Sequence, residues 1–116
     1  MHKFKDLLVW QKSLDLAEAV YQFCKAFPTD EKFNLEAQIK RSVVSISSNI
    51  AEGAGRGSNN EFKHFIMVAL GSSFELETQL LLAGRLKYGQ QSVLDHLLIQ
   101  VEEVQKMLSG LHKSIN

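Results

Sequence analysis

The chain has 116 residues, 45% of them hydrophobic, with one Pro, 7 Gly and a single Cys. That size and composition fit one domain with one hydrophobic core, expected to span residues 1–116, and exclude a disordered or fibrous protein. Thirteen Lys and Arg balance thirteen Asp and Glu, so bulk charge does not select a polyanionic partner and local patches must decide.

The start, Met-His-Lys-Phe-Lys-Asp, is charged and lacks the apolar run of a signal peptide. No uninterrupted run approaches the roughly 18 apolar residues that cross a bilayer, which sets the expectation of a cytoplasmic protein with no membrane partner. Leu7, Trp10, Leu14, Ala17, Tyr21 and Cys24 then recur at spacings of three and four. This predicts a first helix with those side chains on its buried face, Cys24 being an inert core thiol.

Pro28 ends that helix, and Thr29 or Asp30 can cap a second, with Asp30 and Glu31 near the positive end of its dipole. Leu35, Ile39, Val43, Ile46 and Ile50 carry the second helix to Gly53-Ala-Gly55-Arg-Gly57. The stretch from Ser42 to Ile50 is rich in serine and β-branched residues, as a strand would be, but the three-four spacing runs through it and selects a helix.

Ser58-Asn-Asn-Glu61 is a capping box that opens a third helix at about Asn59, with a main stripe of Phe62, Ile66, Ala69, Ser73, Leu76, Leu80 and Ala83 and an end near Gly89. Ser92 with Asp95 repeats the cap more weakly. The fourth helix carries Leu94, Leu97, Val101, Val104, Leu108, Leu111 and Ile115. The fold class is therefore all-α, an up-down-up-down four-helix bundle with short loops. The third helix also bears Met67, Leu70, Phe74 and Leu81, about 120° around from its main stripe. Either the core wraps widely around this helix or the second stripe is a subunit interface. The interface reading is preferred, with Lys63 and Arg85 on the same side.

Several kinds of chemistry fail on spacing. Glu61-Phe-Lys-His64 matches Glu-x-x-His, but a di-metal bundle needs two copies, and Val93 and Ser109 stand where His96 and His112 would need glutamates. No metal or other cofactor is expected. The glycine segment lacks the Gly-Lys-Ser/Thr of a phosphate loop, and the serines of the second helix have no nucleophile-elbow setting. Small helical ribonucleases place a histidine four to six residues after an arginine. Arg56 and His64 are too far apart for that pattern, and Arg41 and Arg85 have no histidine in range, so no catalytic residue is assigned and the expectation is that the chain is not an enzyme. What remains is a set of cations, Lys40, Arg41, Arg56 and Lys63, bracketing the glycine turn. On a monomer these are solvated charges offset by Glu52 and Glu61. Cyclic repetition would multiply them around one axis, and several phosphate contacts together give salt-dependent affinity.

A family pattern runs along the same positions. Phe4-Lys-Asp-Leu7, Val9-Trp10-Gln11, Tyr21, Phe27-Pro28, Glu31-Lys-Phe33, Gln38-Ile-Lys-Arg41, Ser45-Ile46, Asn49-Ile-Ala-Glu-Gly53 with Arg56, and Gly71-Ser72 with Glu75-Leu76 occur in order over nearly the whole chain. The chain resembles the four-helix bundle proteins encoded in intervening sequences of bacterial 23S ribosomal RNA genes. It departs from them at Asn34, where a glycine is common, and at Ser47, where a proline is common, so its second helix should be less kinked. The resemblance implies an up-down bundle forming a homopentamer with a central channel. The chain is also similar to the accessory proteins of diversity-generating retroelements, which bind nucleic acid and a reverse transcriptase.

Together these readings give a ring-like homo-oligomer, pentameric on the resemblance, acting as a nucleic-acid-binding protein or adaptor of low specificity. RNA or DNA would meet Lys40, Arg41, Arg56, Lys63 and Arg85, and a reverse transcriptase is a candidate protein partner. Met67, Leu70, Phe74 and Leu81 would form the oligomer interface. Asn49, Glu52 and Gly53 mark the motif turn, either bracing it or touching a ligand. The rival reading is a protein-interaction scaffold with no nucleic-acid role, and a small helical ribonuclease ranks third.

Overall fold

The computed structural model describes residues 2–116. After a 3₁₀ turn at Phe4–Asp6 come α1 (Leu8–Cys24), a second 3₁₀ turn (Thr29–Glu31), α2 (Leu35–Ala54), α3 (Asn59–Arg85) and α4 (Gln91–Ser114), with no strand among the described residues. Each helix packs against its neighbours in sequence, and α1 closes against α4, giving an antiparallel four-helix bundle of 44 × 24 × 20 Å. Links at the two ends show the alternation. His2 N donates to Ala54 O at 2.8 Å and Asn59 Nδ2 to Asn116 O at 3.4 Å at one end. At the other, the Tyr88 hydroxyl donates to Glu31 Oε2 at 2.8 Å.

The stripes of α2 and α3 are buried as the periodicity requires, and the ambiguous stretch of α2 is helical throughout. Ser58 caps α3, its Oγ accepting from Glu61 N at 3.2 Å. In α4, Leu94, Leu97, Val101, Val104 and Leu108 are buried, while Ile115 lies just past the helix end. Three expectations need correction at this level. Ser92 lies inside α4, whose N-cap is Gln90 with no side-chain bond. The second helix begins at Leu35, and the residues offered as its cap form the separate 3₁₀ turn. The third stops at Arg85, where Lys87 and Gly89 turn the chain with φ of 63° and 72°. A Cβ on Gly89 would stand 2.5 Å from Phe23 Cε1, so this left-handed glycine lets the turn sit on the core aromatic.

The largest correction concerns α1. Its buried face is Val9, Ser13, Leu16, Val20, Phe23 and Cys24, whereas Leu14 and Tyr21 from the expected stripe are 38% and 42% exposed. Ser13 tolerates the core because its hydroxyl donates to Val9 O at 2.7 Å. By length and composition α3 is long and apolar enough to cross a membrane, with a mean hydropathy of 1.3 over its best window. Its buried stripe packs in the bundle core beside α2 and α4.

Candidate functional site

The motif stretch of α2 faces α3 and is occupied with helix packing. Asn49 Nδ2 donates to Ser45 O at 2.8 Å and to Ser45 Oγ at 2.9 Å, and Ser45 Oγ pairs with Ser72 Oγ across the seam at 2.9 Å. One turn on, Gly53 is buried in close contact with α3, and a Cβ there would lie 2.6 Å from Phe65 Cβ. Glu52 holds Arg56, with Oε2 3.6 Å from Nε. Gly53 thus lies in the α2–α3 packing, Asn49 joins that seam through Ser45, and Glu52 reaches only Arg56 beside the turn.

The cations do not gather around the glycine turn. At 1.5 Å per residue, Arg41 stands about 20 Å along α2 from its last residue, Ala54, just beyond which Arg56 lies, and Lys63 and Arg85 stand about 33 Å apart along α3. Because the two helices are antiparallel, Arg56 and Lys63 share the turn end, while the Ser45–Ser72 pairing sets Lys40 and Arg41 level with the middle of α3, about 13 Å short of Arg85. Two of the five are engaged. Lys40 Nζ lies 2.8 Å from Glu36 Oε2 and 4.8 Å from the centroid of the Tyr21 ring. The Glu36 hydrogen bond, opposed by some desolvation, raises the Lys40 pKa. Arg56 reaches Glu52 and also Glu61 Oε2 at 3.9 Å, and lies over the Phe65 ring at 4.9 Å. Arg41, Lys63 and Arg85 make no ion pair among the described residues.

The N-terminal segment adds cations that sequence spacing missed. Lys3 and Lys5, with His2 and Phe4, line a cavity of about 500 Å³ beside Gly55. They join Arg56 and Lys63 at the turn end because His2 N bonds Ala54 O and the His2 ring packs on Phe62 at 4.6 Å.

The second stripe of α3 is uncovered. Met67, Phe74 and Leu81 are 48%, 52% and 48% exposed, and only Leu70 tucks partly against the core. Soluble domains seldom leave such a row in water without a partner. No group of three His, Cys, Asp or Glu side chains converges as metal ligands among the described residues. Cys24 is buried, and burial, reinforced by Glu36 and opposed by Lys40, pushes its thiol up from 9.0 to about 11, far from the thiolate a nucleophile needs.

The geometry defines a helical bundle with a braced α2–α3 hairpin, an uncovered α3 face and dispersed cations. The chain belongs to the 23S rRNA-intervening sequence protein family, whose model matches residues 5–110. It is similar to a protein of unknown function from the S23 ribosomal protein family of Bacteroides thetaiotaomicron, known from a crystal structure. The two share 30% identity and superpose with a TM-score of 0.86 over 95% of this chain and 99% of that one. Among curated proteins none matches.

Proposed function

We propose that the protein is a non-enzymatic helical adaptor that assembles with itself into a ring, a pentamer on the family resemblance, and in that form binds RNA or DNA weakly and with strong salt dependence. The observation that carries this reading is the α3 face: Met67, Phe74 and Leu81 lie open, with the unpaired cations Lys63 and Arg85 toward either end of the row. On a monomer the assigned cations are dispersed, and repetition around an axis would bring several copies of each to one nucleic acid. The similarity to retroelement accessory proteins belongs to the same proposal, with a reverse transcriptase as the kind of protein partner and the cytoplasm as the compartment.

Light scattering on the purified chain tests assembly, and a mass of one subunit at micromolar concentration ends the ring reading. Titration of fluorescent single-stranded and duplex nucleic acid at two salt concentrations tests binding. Absence of binding by an assembled protein at low salt leaves the scaffold reading, which the carboxylate pairing of Lys40 and Arg56 favours. Metal-free RNA cleavage would instead revive the ribonuclease.

A further inference from the structure

The 3₁₀ turn Phe4–Asp6 is fixed against the end of α2 on both of its sides. His2 N donates to Ala54 O at 2.8 Å, Leu7 N closes the turn on Phe4 O at 3.0 Å, and Gln11 Nε2 donates to Lys5 O at 2.8 Å. The cavity of about 500 Å³ that this segment forms with Gly55 is therefore held open by the fold.

Its lining combines two kinds of chemistry. Phe4 and His2 supply aromatic walls. Phe4 is half-buried and edge-on to Trp10, with ring centroids 5.2 Å apart, and the His2 ring rests on Phe62. Lys3 and Lys5 are exposed beside them. Asp6 is the one carboxylate in the lining, yet neither lysine makes an ion pair among the described residues. Gly55 contributes by having no side chain. Its φ of −83° suits any residue, and a Cβ there would meet nothing nearer than the Ala51 and Glu52 carbonyl oxygens at 3.6 Å. Neither backbone nor packing calls for glycine, but a larger residue would take up the space.

Aromatic walls with ammonium groups at the rim suit an unpaired nucleotide, whose base stacks on the rings while the neighbouring phosphates meet the lysines. The volume falls among those of sites that take small organic groups. A duplex cannot use such a cavity, because pairing and stacking keep its bases inside the helix. We infer that this cavity takes an unstacked base of single-stranded nucleic acid, with Lys3 and Lys5 on the flanking phosphates. The inference rests on the nucleic-acid part of the proposed function and gives it a strand preference that dispersed cations alone do not supply. Arg56 follows Gly55 directly, so one cation of the earlier set adjoins the site.

The test uses the full chain, with a labelled single strand and the duplex of the same sequence followed by fluorescence anisotropy at low salt. The single strand is expected to bind about tenfold more tightly. Gly55→Leu fills the cavity and keeps every cation, and it should bring single-strand affinity down toward the duplex value, with the fold checked by circular dichroism. Phe4→Leu keeps an apolar side chain against the core but removes the ring, and the same loss is expected. Lys3→Gln with Lys5→Gln should lower the single-strand salt slope by about 0.7 for each phosphate no longer neutralised. A nucleoside monophosphate at the concentration of the strand should leave the strand bound; displacement would make the free nucleotide the ligand and overturn the strand reading. A parent protein that binds neither strand nor duplex overturns the nucleic-acid reading and this site with it. Equal affinity of the parent for both, or a preference that survives either substitution in a folded variant, overturns this site alone. An unchanged slope for the double lysine variant removes the phosphates from Lys3 and Lys5 and overturns the placement.

Discussion

Gly53 of α2 and Phe65 of α3 meet so closely that a Cβ on the glycine would stand 2.6 Å from the phenylalanine Cβ, with Phe62 Cδ1 at 3.1 Å beyond it. The atom in the way is next to the backbone of α3, so relief requires the helices to separate and not a simple rotamer change. Gly53→Ala gains about 1 kcal/mol of helix propensity, yet overpacking of this kind costs about 1–3 kcal/mol and also strains the Asn49–Ser45–Ser72 chain of hydrogen bonds that begins one turn away. The expected outcome is a net loss of stability and a lower Tm by circular dichroism. A Tm equal to or above that of the parent chain would show that the seam has slack there.

Stability should fall at alkaline pH through two named groups. Burial pushes the Cys24 thiol from 9.0 to about 11, and donation to Glu31 raises the Tyr88 phenol above its ordinary 10.0. Both favour the fold in their protonated form. Their contribution is complete below the ordinary pKa of each and is lost as pH climbs through the raised folded value. Tyr88→Phe is expected to flatten the part of the decline above pH 10, measured by urea denaturation across pH 8 to 11. In the native protein at pH 8, Cys24 should label with a thiol reagent only at the rate of unfolding; immediate stoichiometric labelling would contradict its burial.

Charge on the outer face of α3 should separate folding from assembly. Met67→Glu and Phe74→Glu place carboxylates at positions already half in water, so helical content and Tm should change little while the mass in solution drops. Leu76→Ala, on the buried stripe of the same helix, should instead cost about 2–5 kcal/mol of stability. Unchanged mass for both glutamate variants of an assembled parent would move the interface away from α3.

The helices α2, α3 and α4 were legible in the sequence because in each a dominant three-four apolar repeat coincides with the buried stripe. α1 misleads since it carries two interleaved repeats. Trp10, Leu14, Ala17 and Tyr21 are as periodic as the true core positions Val9, Leu16, Val20 and Phe23, and the latter include a polar Ser13 whose burial only its bond to Val9 O explains. The candidate site was legible as residues but not as a shape. Arg41 and Arg56 are close in number and distant in space because a helix separates them, while Lys3 and Lys5 reach the turn only through tertiary contacts of the N-terminal segment.

The salt dependence of nucleic-acid binding should distinguish free from neutralised cations. Each neutralised phosphate adds about 0.9 to the magnitude of the slope of log K against log salt. Arg41, Lys63 and Arg85 have no carboxylate partner, whereas Lys40 and Arg56 are held by Glu36, Glu52 and Glu61. Arg41→Ala and Arg85→Ala are therefore expected to weaken binding across all sequences and to reduce the slope, by about 0.9 for each phosphate that the assembly no longer neutralises. Lys40→Gln should do less, because removing it also releases Glu36, and Arg56→Ala likewise frees two carboxylates. Fluorescence anisotropy at several salt concentrations reads all four variants. Equal losses of affinity for the paired and unpaired cations would mean that the ion pairs open on binding, and no change for Arg41→Ala or Arg85→Ala would remove both residues from the nucleic-acid surface.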